Sequence, residues 1–392
     1  MNSYMTSILT ACVIFPLVAA VFTLPFVIVH YRRYGGIPVI RVMIVYSFIL
    51  YSMCALFLTV LPLPKISAVE AMKPKPVGLV PFNDLTEALE KAGFVLNDLS
   101  SFLNIAHWRR LISSFELFQI VANIVMQIPL GIYLRYYFRC SWKKTLLIGF
   151  AVSLFYELTQ YTGLWFIYPK AYRYAEVDDL INNTLGALIG YWITPLFQLV
   201  LPKRDEIDRL SYTQGLYVTL ARRFFAYLFD VMILSAVNSF FANHLNKASS
   251  VPWLITAWIA SNILLLGVVP KLCMDSTVGQ LLVRLRVKKA DGVSEISFFA
   301  QLMRNFLLYY VETDMLLLGG TFLGICIFIM SYTDNPMNSK LFWLVVLGAV
   351  PVLFFWFFAH CQRKHHTLPH SYYTKSSIVP IPVSQKRRKD SD

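Results

Sequence analysis

The sequence predicts an all-α polytopic membrane protein with about nine transmembrane helices, in a bundle of five followed by a bundle of four. Composition is the first reason. Of the 392 residues 57% are hydrophobic and only 15% are charged, whereas a soluble domain carries about a quarter charged residues. The mean hydropathy of +0.57 agrees. The second reason is a series of apolar runs of about 20 residues, which is enough to cross ~30 Å of hydrocarbon.

The apolar runs are rich in Leu, Ile, Val, Phe and Ala. They cover residues 7–30, 37–62, 115–138, 145–168, 180–202, 224–243, 251–270, 315–333 and 341–361. The first run has no Lys or Arg before it, so it lacks the basic segment of a cleaved signal peptide. We therefore expect it to remain as a helix.

The distribution of basic residues predicts the orientation. Most of the 35 Lys and Arg residues follow the first, third, fifth and seventh runs or lie in the tail, which ends in Lys386-Arg387-Arg388-Lys389. The positive-inside rule then places the N-terminus outside and the C-terminus in the cytoplasm. Basic loops that face anionic lipid also explain the net charge of +13. We therefore predict membrane lipids as partners and no nucleic-acid partner.

Charged segments divide the chain into regions. Residues 1–202 form the five-helix region with a long outer loop at 63–114, residues 203–221 form a cytoplasmic linker, and residues 222–361 form the four-helix region. The tail at 362–392 is basic, and from Lys375 it is rich in Ser and Pro, so we expect disorder there.

Two loops are expected to carry local structure. In the outer loop, Asp84 and Glu87 have capping-box spacing and Gly93 follows as a stop, which predicts a short interfacial helix. Between residues 281 and 288, apolar and charged side chains alternate and Asp291-Gly292 follows. This pattern predicts a small β-hairpin or an extended segment on the cytoplasmic face.

The six cysteines show no two at metal-ligand spacing. They fall inside the apolar runs or beside their cytoplasmic ends, so the sequence predicts neither a disulfide framework nor a metal site. No motif for a cofactor was recognised, and none is expected. The oligomeric state is not encoded in any pattern that we find.

Polar residues inside the apolar runs are the candidate site, because a bilayer gives a polar side chain no water. In the third run they recur at steps of three or four residues, and so share one helix face. The fourth and fifth runs also carry polar stripes. The residues of the three stripes are Glu116, Gln119, Asn123 and Gln127, then Tyr156, Glu157 and Gln160, then Asp179 with Asn182 or Asn183.

We expect the three stripes to converge on a cleft that opens outward, with Arg173 as the cation that reaches it. The alternative is that the amides bond across helices and that Gly186 and Gly190 let two backbones approach closely. For Glu157 a functional role is favoured, because a carboxylate at mid-depth costs ~2.5 kcal/mol or more to insert. The sequence shows no permanent partner for it.

These residues resemble the signature of the VanZ-like family over roughly residues 20–200. The matching strings are Glu157-Leu-Thr-Gln160, Arg173, Asp178-Asp179-Leu-Ile-Asn182-Asn183-Thr184-Leu-Gly186, Asn123 to Gly131, and Pro81-Phe82. Members of that family are linked to resistance toward teicoplanin-type glycopeptides. The resemblance implies a cell-membrane protein of a bacterium, of Gram-positive type, with a glycopeptide or a lipid-linked envelope precursor as possible partner.

The second half resembles the RDD family over about residues 215–310. The matching residues are Arg222 or Arg223, Ala226 and Asp230, then Thr277 and Gly279 with Val287 and Asp291-Gly292, then Arg304-Asn305. Gln280 departs from the pattern, since the family has Lys there. Asp230 lies two turns into its helix, where Arg304 or Arg223 is the expected partner. A structural ion pair is favoured over a transport role.

Three classes of function remain open. An envelope factor without catalytic residues would bind a lipid headgroup or an amphipathic compound in the outward cleft, formed by Glu116, Gln119, Asn123, Glu157, Gln160, Arg173, Asp179 and Asn182. A transporter or ion exchanger would use Asp230 and Glu157, although the halves show no inverted repeat. An intramembrane enzyme would use Glu157 as general acid or base, but no nucleophile, metal-ligand set or phosphate loop accompanies it.

Overall fold

A computed structural model of the chain describes residues 2–73, 77–95, 98–245, 251–312, 371 and 374–383. The predicted eighth and ninth membrane helices lie outside these residues. The chain divides into two compact units, one formed by Met1–Leu24 with Pro38–Asp208 and the other by Pro25–Ile37 with Arg209–Asp392. The protein has an all-α, membrane-like fold, since the only sheets in the described ranges are two small pairs of strands.

Long helices dominate the first unit, and helix α1 also contributes to the second. They are α1 (Asn2–Tyr34), α2 (Val39–Val60), α7 (Phe115–Tyr136), α8 (Trp142–Tyr161) and α10 (Val177–Phe197). Within the described ranges, three helices are long and apolar enough to cross a membrane: Met5–Tyr34 of α1, α2 and α7. Helices α8 and α10 also have the length for a span, at 20 and 21 residues. Their polar stripes lower their hydropathy.

The outer loop is folded. It contains α3 (Ile66–Ala71), β1 (Val77–Gly78), α4 (Asn83–Ala92), α5 (Leu99–Leu103) and α6 (Ile105–Ile112). Ala88, Ala92 and Phe94 pack with Leu111 in a small core of their own. The short helix predicted in this loop is confirmed as α4, and Gly93 ends it in the left-handed region at φ 97°. The predicted cap is wrong, because Phe82 and not Asp84 occupies the N-cap.

Strand β1 fixes the outer loop to the start of α10. It pairs in parallel with β2 (Ala175–Glu176), with Val77 opposite Ala175 and Gly78 opposite Glu176. The short helix α9 (Gly163–Phe166) precedes β2 along the chain. This pairing brings residues of the outer loop close to residues 175–179, which no local pattern in the sequence predicts.

Helices α7 and α10 pack backbone against backbone. A Cβ atom added at Gly186 would overlap the carbonyl oxygen of Ile124, and one added at Gly190 would overlap that of Ile128. Small residues four apart allow this close contact between membrane helices. The two glycines therefore pack helices together, as the sequence suggested, and set the spacing of the polar stripes beside them.

Apart from the long helix α12 (Leu220–Leu245), the described elements of the second unit are short. They are α11 (Arg204–Gln214), which begins in the first unit, α13 (Val251–Ile263), α14 (Val269–Leu272), α15 (Val278–Leu282), β3 (Leu285–Lys289), α16 (Phe298–Phe306) and β4 (Ser376–Pro380). A π-helical segment, Leu264–Val268, joins α13 to α14, and a second one, Leu307–Glu312, follows α16.

The loop before α16 forms a strand, as its alternating pattern predicted. Leu285 and Val287 are fully buried. The hairpin prediction is wrong, however, because β3 pairs antiparallel with β4 of the tail, with Leu285 opposite Pro380 and Lys289 opposite Ser376. The prediction of disorder from Lys375 is therefore wrong for residues 376–380. The segment is rich in Ser and Pro, but it also contains Ile378-Val379, a short apolar pair that can form part of a strand.

Candidate functional site

The polar stripes of the first unit meet at a cavity of about 470 Å³. Its walls come from α2, α7, α8, α10 and the segment before α10. The polar residues that line it are Thr59, Gln119, Asn123, Glu157, Gln160, Arg173, Glu176, Asp179 and Asn183. Six of the eight cleft residues chosen from the sequence are thus brought together, and two are not.

Glu116 and Asn182 are the two exceptions. Glu116 lies at the first turn of α7 and binds Lys91 of the outer loop, with 2.5 Å between Oε1 and Nζ. On α10 it is Asn183 that lines the cavity. Asn183 follows Asp179 by four residues and so lies on the same face of the helix. The sequence analysis named both asparagines. A residue three or four positions after Asp179 can share its helix face, so periodicity alone did not decide which of the two lines the cavity.

Glu157 is held by a backbone group. Its side chain lines the cavity, the residue is only 8% exposed, and Oε2 accepts a hydrogen bond of 2.9 Å from the N–H of Glu176. A backbone amide contributed by a distant segment cannot be identified from the sequence, which is why Glu157 seemed to lack a permanent partner. This hydrogen bond orients the carboxyl group at the cavity lining.

A chain of hydrogen bonds joins the three stripes. The side-chain amide of Asn123 donates to Asp179 Oδ1. Ser153 Oγ donates to the carbonyl of Asp179 at 3.3 Å and accepts from Asn183 Nδ2 at 3.1 Å. Ser153 is fully buried. Helices α7, α8 and α10 are therefore cross-linked next to the cavity, through a serine that the sequence analysis missed because serine is common in apolar helices.

Two buried amides at the cavity are only half satisfied. Gln160 donates to the carbonyl of Thr59 at 3.2 Å, yet its Oε1 has no hydrogen-bond partner among the described residues. Asn183 Oδ1 likewise has no hydrogen-bond partner within the described ranges. The two residues are 6% and 3% exposed. Buried polar atoms are nearly always paired, so these two acceptors mark the cavity as a place for water or a ligand.

Arg173 lies at the cavity and also caps helix α2. Its guanidinium donates to the carbonyls of Leu58, Thr59 and Leu61 at the C-terminal end of that helix. A cation at a helix C-terminus is favourable because the last carbonyls have no partner within the helix. Asp178 accepts hydrogen bonds from the N–H groups of Phe82 and Asp84.

Three carboxyl groups meet at the rim where the outer loop joins α10. Each of Asp84, Glu176 and Asp179 offers an oxygen, and these oxygens lie within 4.8 Å of one another. Burial raises the pKa of Glu176, and the carboxyl groups of Asp84 and Asp178 raise it further. Burial and then Asp178 raise the pKa of Asp84 in the same way. The sequence singled out only Asp179 of the three for the cleft, because the other two lie on none of the polar stripes.

In the second unit, Asp230 is the centre of a buried network. Its carboxylate accepts hydrogen bonds from Thr277 Oγ1 at 2.5 Å, the N–H of Gly279 at 2.7 Å and Tyr309 Oη at 2.6 Å. Of the two expected partners, Arg304 lies near enough for its charge to act on Asp230, whereas Arg223 is exposed. The sequence analysis did not identify Tyr309, because aromatic residues are common in apolar helices and do not mark a site.

Two arginines of the second unit are fully buried and bind main-chain or amide oxygens. Arg222 donates to the carbonyls of Val283 and Arg284, each at 2.7 Å, just after α15. Arg304 donates to Asn305 Oδ1 at 2.9 Å, and Asn305 donates in turn to the carbonyl of Leu266. These residues hold helix ends and the π-helical segment in place.

Both resemblances found in the sequence are confirmed by comparison with known families. Residues 48–198 match the sequence model of a family described as VanZ/LLP1, and residues 217–368 match that of the RDD family. Every polar residue named at the cavity falls in the first match, and Asp230 with its partners falls in the second. No curated protein and no solved structure matches the chain.

Proposed function

The chain belongs to the VanZ/LLP1 family over residues 48–198 and to the RDD family over residues 217–368, and we propose that it is a multi-pass envelope protein of the bacterial cell membrane. In this proposal the cavity around Glu157 binds the headgroup of a lipid, or the polar end of an amphipathic envelope compound. Binding there changes susceptibility to teicoplanin-type glycopeptides. The observation that carries the proposal is the group of unpaired acceptors inside an apolar bundle.

The size of the cavity supports a headgroup as the bound part. Ligand pockets commonly measure about 300–1,000 Å³, and this one measures about 470 Å³. Such a space accepts a headgroup-sized molecule, whereas the acyl chains of a lipid would stay in the surrounding bilayer. An effect on glycopeptides would then arise through the lipid or lipid-linked precursor that is bound.

The nature of the lining also supports a functional site. Glu157, Glu176 and Asp179 bring acidic groups to a cavity that is otherwise walled by apolar helices. Ionisable residues within membrane helices are expensive to bury and are functional candidates for that reason. A purely structural cluster would be expected to pair its acceptors with donors, as the network around Asp230 does.

The outward opening of the cavity rests on the proposed topology. We place the N-terminus outside and the C-terminus in the cytoplasm, with nine spans, from the distribution of Lys and Arg. Reporter tags at residues 1 and 392 test this directly. Labelling of the first tag from outside the cell and of the second only after permeabilisation is the expected result, whereas two cytoplasmic tags would contradict the topology.

Susceptibility in a sensitive Gram-positive host tests the proposed function. The wild-type chain should raise tolerance to lipophilic glycopeptides, and Glu157→Ala and Asp179→Ala should abolish the increase. Glu116→Gln is the matched control, because Glu116 is an acid of the same stripes that binds Lys91 and does not line the cavity. It should keep the wild-type effect.

Membrane expression of all variants must be equal for this comparison, and an empty vector completes the set. Protection that is lost with Glu157→Ala and retained with Glu116→Gln supports the cavity as the working site. Equal susceptibility with wild type, variants and empty vector would contradict the proposal.

Transport is the alternative, and Asp230 is the residue that motivated it. A carboxylate that already accepts three hydrogen bonds is better suited to fix a helix bundle than to exchange ligands. Flux of ions and solutes into proteoliposomes, compared between wild type and Asp230→Asn, tests this alternative. Flux that is lost with Asp230→Asn would favour transport over lipid binding as the function of the protein.

A further inference from the structure

The rim formed by Asp84, Glu176 and Asp179 has the geometry of a cation site. The three carboxylate oxygens lie within 4.8 Å of one another. Calcium binds oxygen ligands at about 2.3–2.6 Å, so ligands on opposite sides of the ion are about 5 Å apart. Magnesium requires about 2.0–2.1 Å and a near-ideal octahedron. Oxygens this close together could hold either ion, but the flexible coordination of calcium suits three carboxylates from separate segments better than the strict octahedron of magnesium does.

Described contacts hold the three residues in place, through the backbone of Glu176 and of Asp84 and through the carboxylate of Asp179. Strand β1 pairs with β2 and so fixes Glu176 against the outer loop. Asp178 accepts the N–H of Asp84 at 2.7 Å, which anchors the first turn of α4. Asn123 donates to one oxygen of Asp179. Preorganised ligands are what a selective ion site needs.

The charges nearby leave the rim acidic. Asp178 and Glu87 both add negative charge near Asp84, which raises the pKa of that carboxyl after burial itself has done so. Lys91 binds Glu87 and Glu116, and the described contacts of Arg173 go to carbonyls of α2. A divalent cation would balance carboxylates that otherwise repel one another.

The cavity behind the rim gives a second, independent indication of a bound electropositive group. Glu176 and Asp179 line that cavity together with Gln160 and Asn183. Those two amides are more than nine-tenths buried, and each has an oxygen without a hydrogen-bond partner among the described residues. Amide oxygens are, like carboxylates, ligands for hard cations or for the water that such a cation retains.

We propose that Asp84, Glu176 and Asp179 bind a divalent cation of the calcium class, at the rim of the cavity and between the outer loop and helix α10. The ion fastens the outer loop to the membrane domain. This inference does not depend on the proposed role in glycopeptide susceptibility, since an ion could bind whether or not the cavity takes a lipid.

Metal binding by the purified full-length chain in detergent tests the proposal. Terbium replaces calcium and emits when a nearby aromatic side chain absorbs light, and Tyr172 and Tyr174 line the same cavity. We expect saturable, tyrosine-sensitised emission from wild-type protein, with one ion per chain and displacement by calcium. The double variant Asp84→Asn with Glu176→Gln should bind the ion at least about tenfold more weakly.

The matched control removes the same number of charges, both from the outer loop. Glu70 and Glu90 are exposed carboxylates outside the cluster, so Glu70→Gln with Glu90→Gln should bind terbium within about twofold of wild type. Circular dichroism must show that all three proteins are helical. If the double variant does not fold, Asp84→Asn alone replaces it, since Asp84 is only partly buried.

Three results would overturn the proposal. Wild-type protein that is folded but shows no saturable emission has no such site. Equal affinity in the Asp84/Glu176 variant would place the ion elsewhere. Equal weakening in the Glu70/Glu90 control would indicate general attraction to surface charge. Glycopeptide susceptibility is not used as a readout, so failure here leaves the proposed function to its own test.

Discussion

Glu157 and Asp230 are both acids on otherwise apolar helices, and both are nearly buried, at 8% and 5% exposure. Their surroundings differ. Glu157 lines a cavity and accepts one hydrogen bond, from a backbone N–H. Asp230 accepts three, from a threonine, a glycine N–H and a tyrosine. Burial of an acid in a membrane helix therefore does not by itself identify a functional site, whereas the number of its donors separates the two cases.

The neighbours of the two acids show the same difference. Beside Glu157, Gln160 and Asn183 each have an oxygen that no group in the described part of the chain pairs. Beside Asp230, Thr277 and Gln280 form a complete capping box, in which Thr277 Oγ1 accepts the N–H of Gln280 and the Gln280 side chain accepts the N–H of Thr277. Gln280 departs from the family pattern, and the capping box gives it a structural role in this chain. Within the described residues, the carboxylate and capping-box acceptors at Asp230 are paired, whereas two amide acceptors beside Glu157 are not.

The largest effect is expected for Asp230→Ala. Three buried donors would lose their acceptor, and each unpaired group costs about 1–3 kcal/mol, so the free energy of unfolding should fall by roughly 3 kcal/mol or more. Denaturant unfolding of the purified chain, followed by loss of helicity, measures it. Unchanged stability would contradict a structural role of Asp230. The two acids would then not differ in the way described above.

A smaller loss is expected for Gly186→Ala. The new Cβ would overlap the carbonyl oxygen of Ile124, so α7 and α10 would have to separate. Overpacking of this kind costs about 1–3 kcal/mol. Leu185→Ala is the control, because Leu185 is 41% exposed on the same helix. Thermal unfolding of both variants measures the difference. If Leu185→Ala proved less stable than Gly186→Ala, the two helices would not depend on this close contact.

The expected effect of Glu157→Gln on stability is smaller again. The glutamine keeps an oxygen that can accept the N–H of Glu176, and it removes a charge that is costly to bury. The free energy of unfolding should stay within about 1 kcal/mol of wild type. A loss as large as that of Asp230→Ala, in the same denaturant experiment, would show that Glu157 is as structural as Asp230.

The smallest effect is a pH dependence at the rim. The pKa values of Asp84 and Glu176 are raised in the folded protein, so their contribution to stability is present at low pH and is lost as pH rises through the folded values. With a chelator present, hydrogen exchange in residues 77–95 should therefore become faster as pH rises above the ordinary carboxyl range, after correction for intrinsic exchange. Calcium should suppress the change. Exchange that slows with rising pH would contradict this sign.

The sequence predicted much of the cavity and little of its rim. Gln119, Asn123, Glu157, Gln160 and Asp179 were found because helix periodicity places polar residues on one face, and such residues are rare enough in membrane helices to stand out. Periodicity carries no information on how a loop docks. The pairing of β1 with β2, which brings Asp84 to Glu176, depends on contacts between segments distant in sequence.

Similar reasons explain why the sequence analysis misplaced Glu116 and misjudged the tail. Glu116 was assigned by its spacing, but it lies at a helix end where Lys91 of the folded outer loop can reach it. The tail was judged by its composition, yet only five of its residues, Ser376–Pro380, are needed to pair with β3. Composition describes a whole segment and does not detect a short strand whose partner lies far away in the chain.

Native mass spectrometry of the purified chain most directly tests whether the cavity around Glu157 binds a lipid. Wild type, Glu157→Gln and Glu116→Gln would be extracted from the same membranes and compared for lipid that stays bound. We predict that wild type and Glu116→Gln retain one tightly bound lipid per chain and that Glu157→Gln loses it. Equal retention in all three proteins would contradict a lipid site at Glu157.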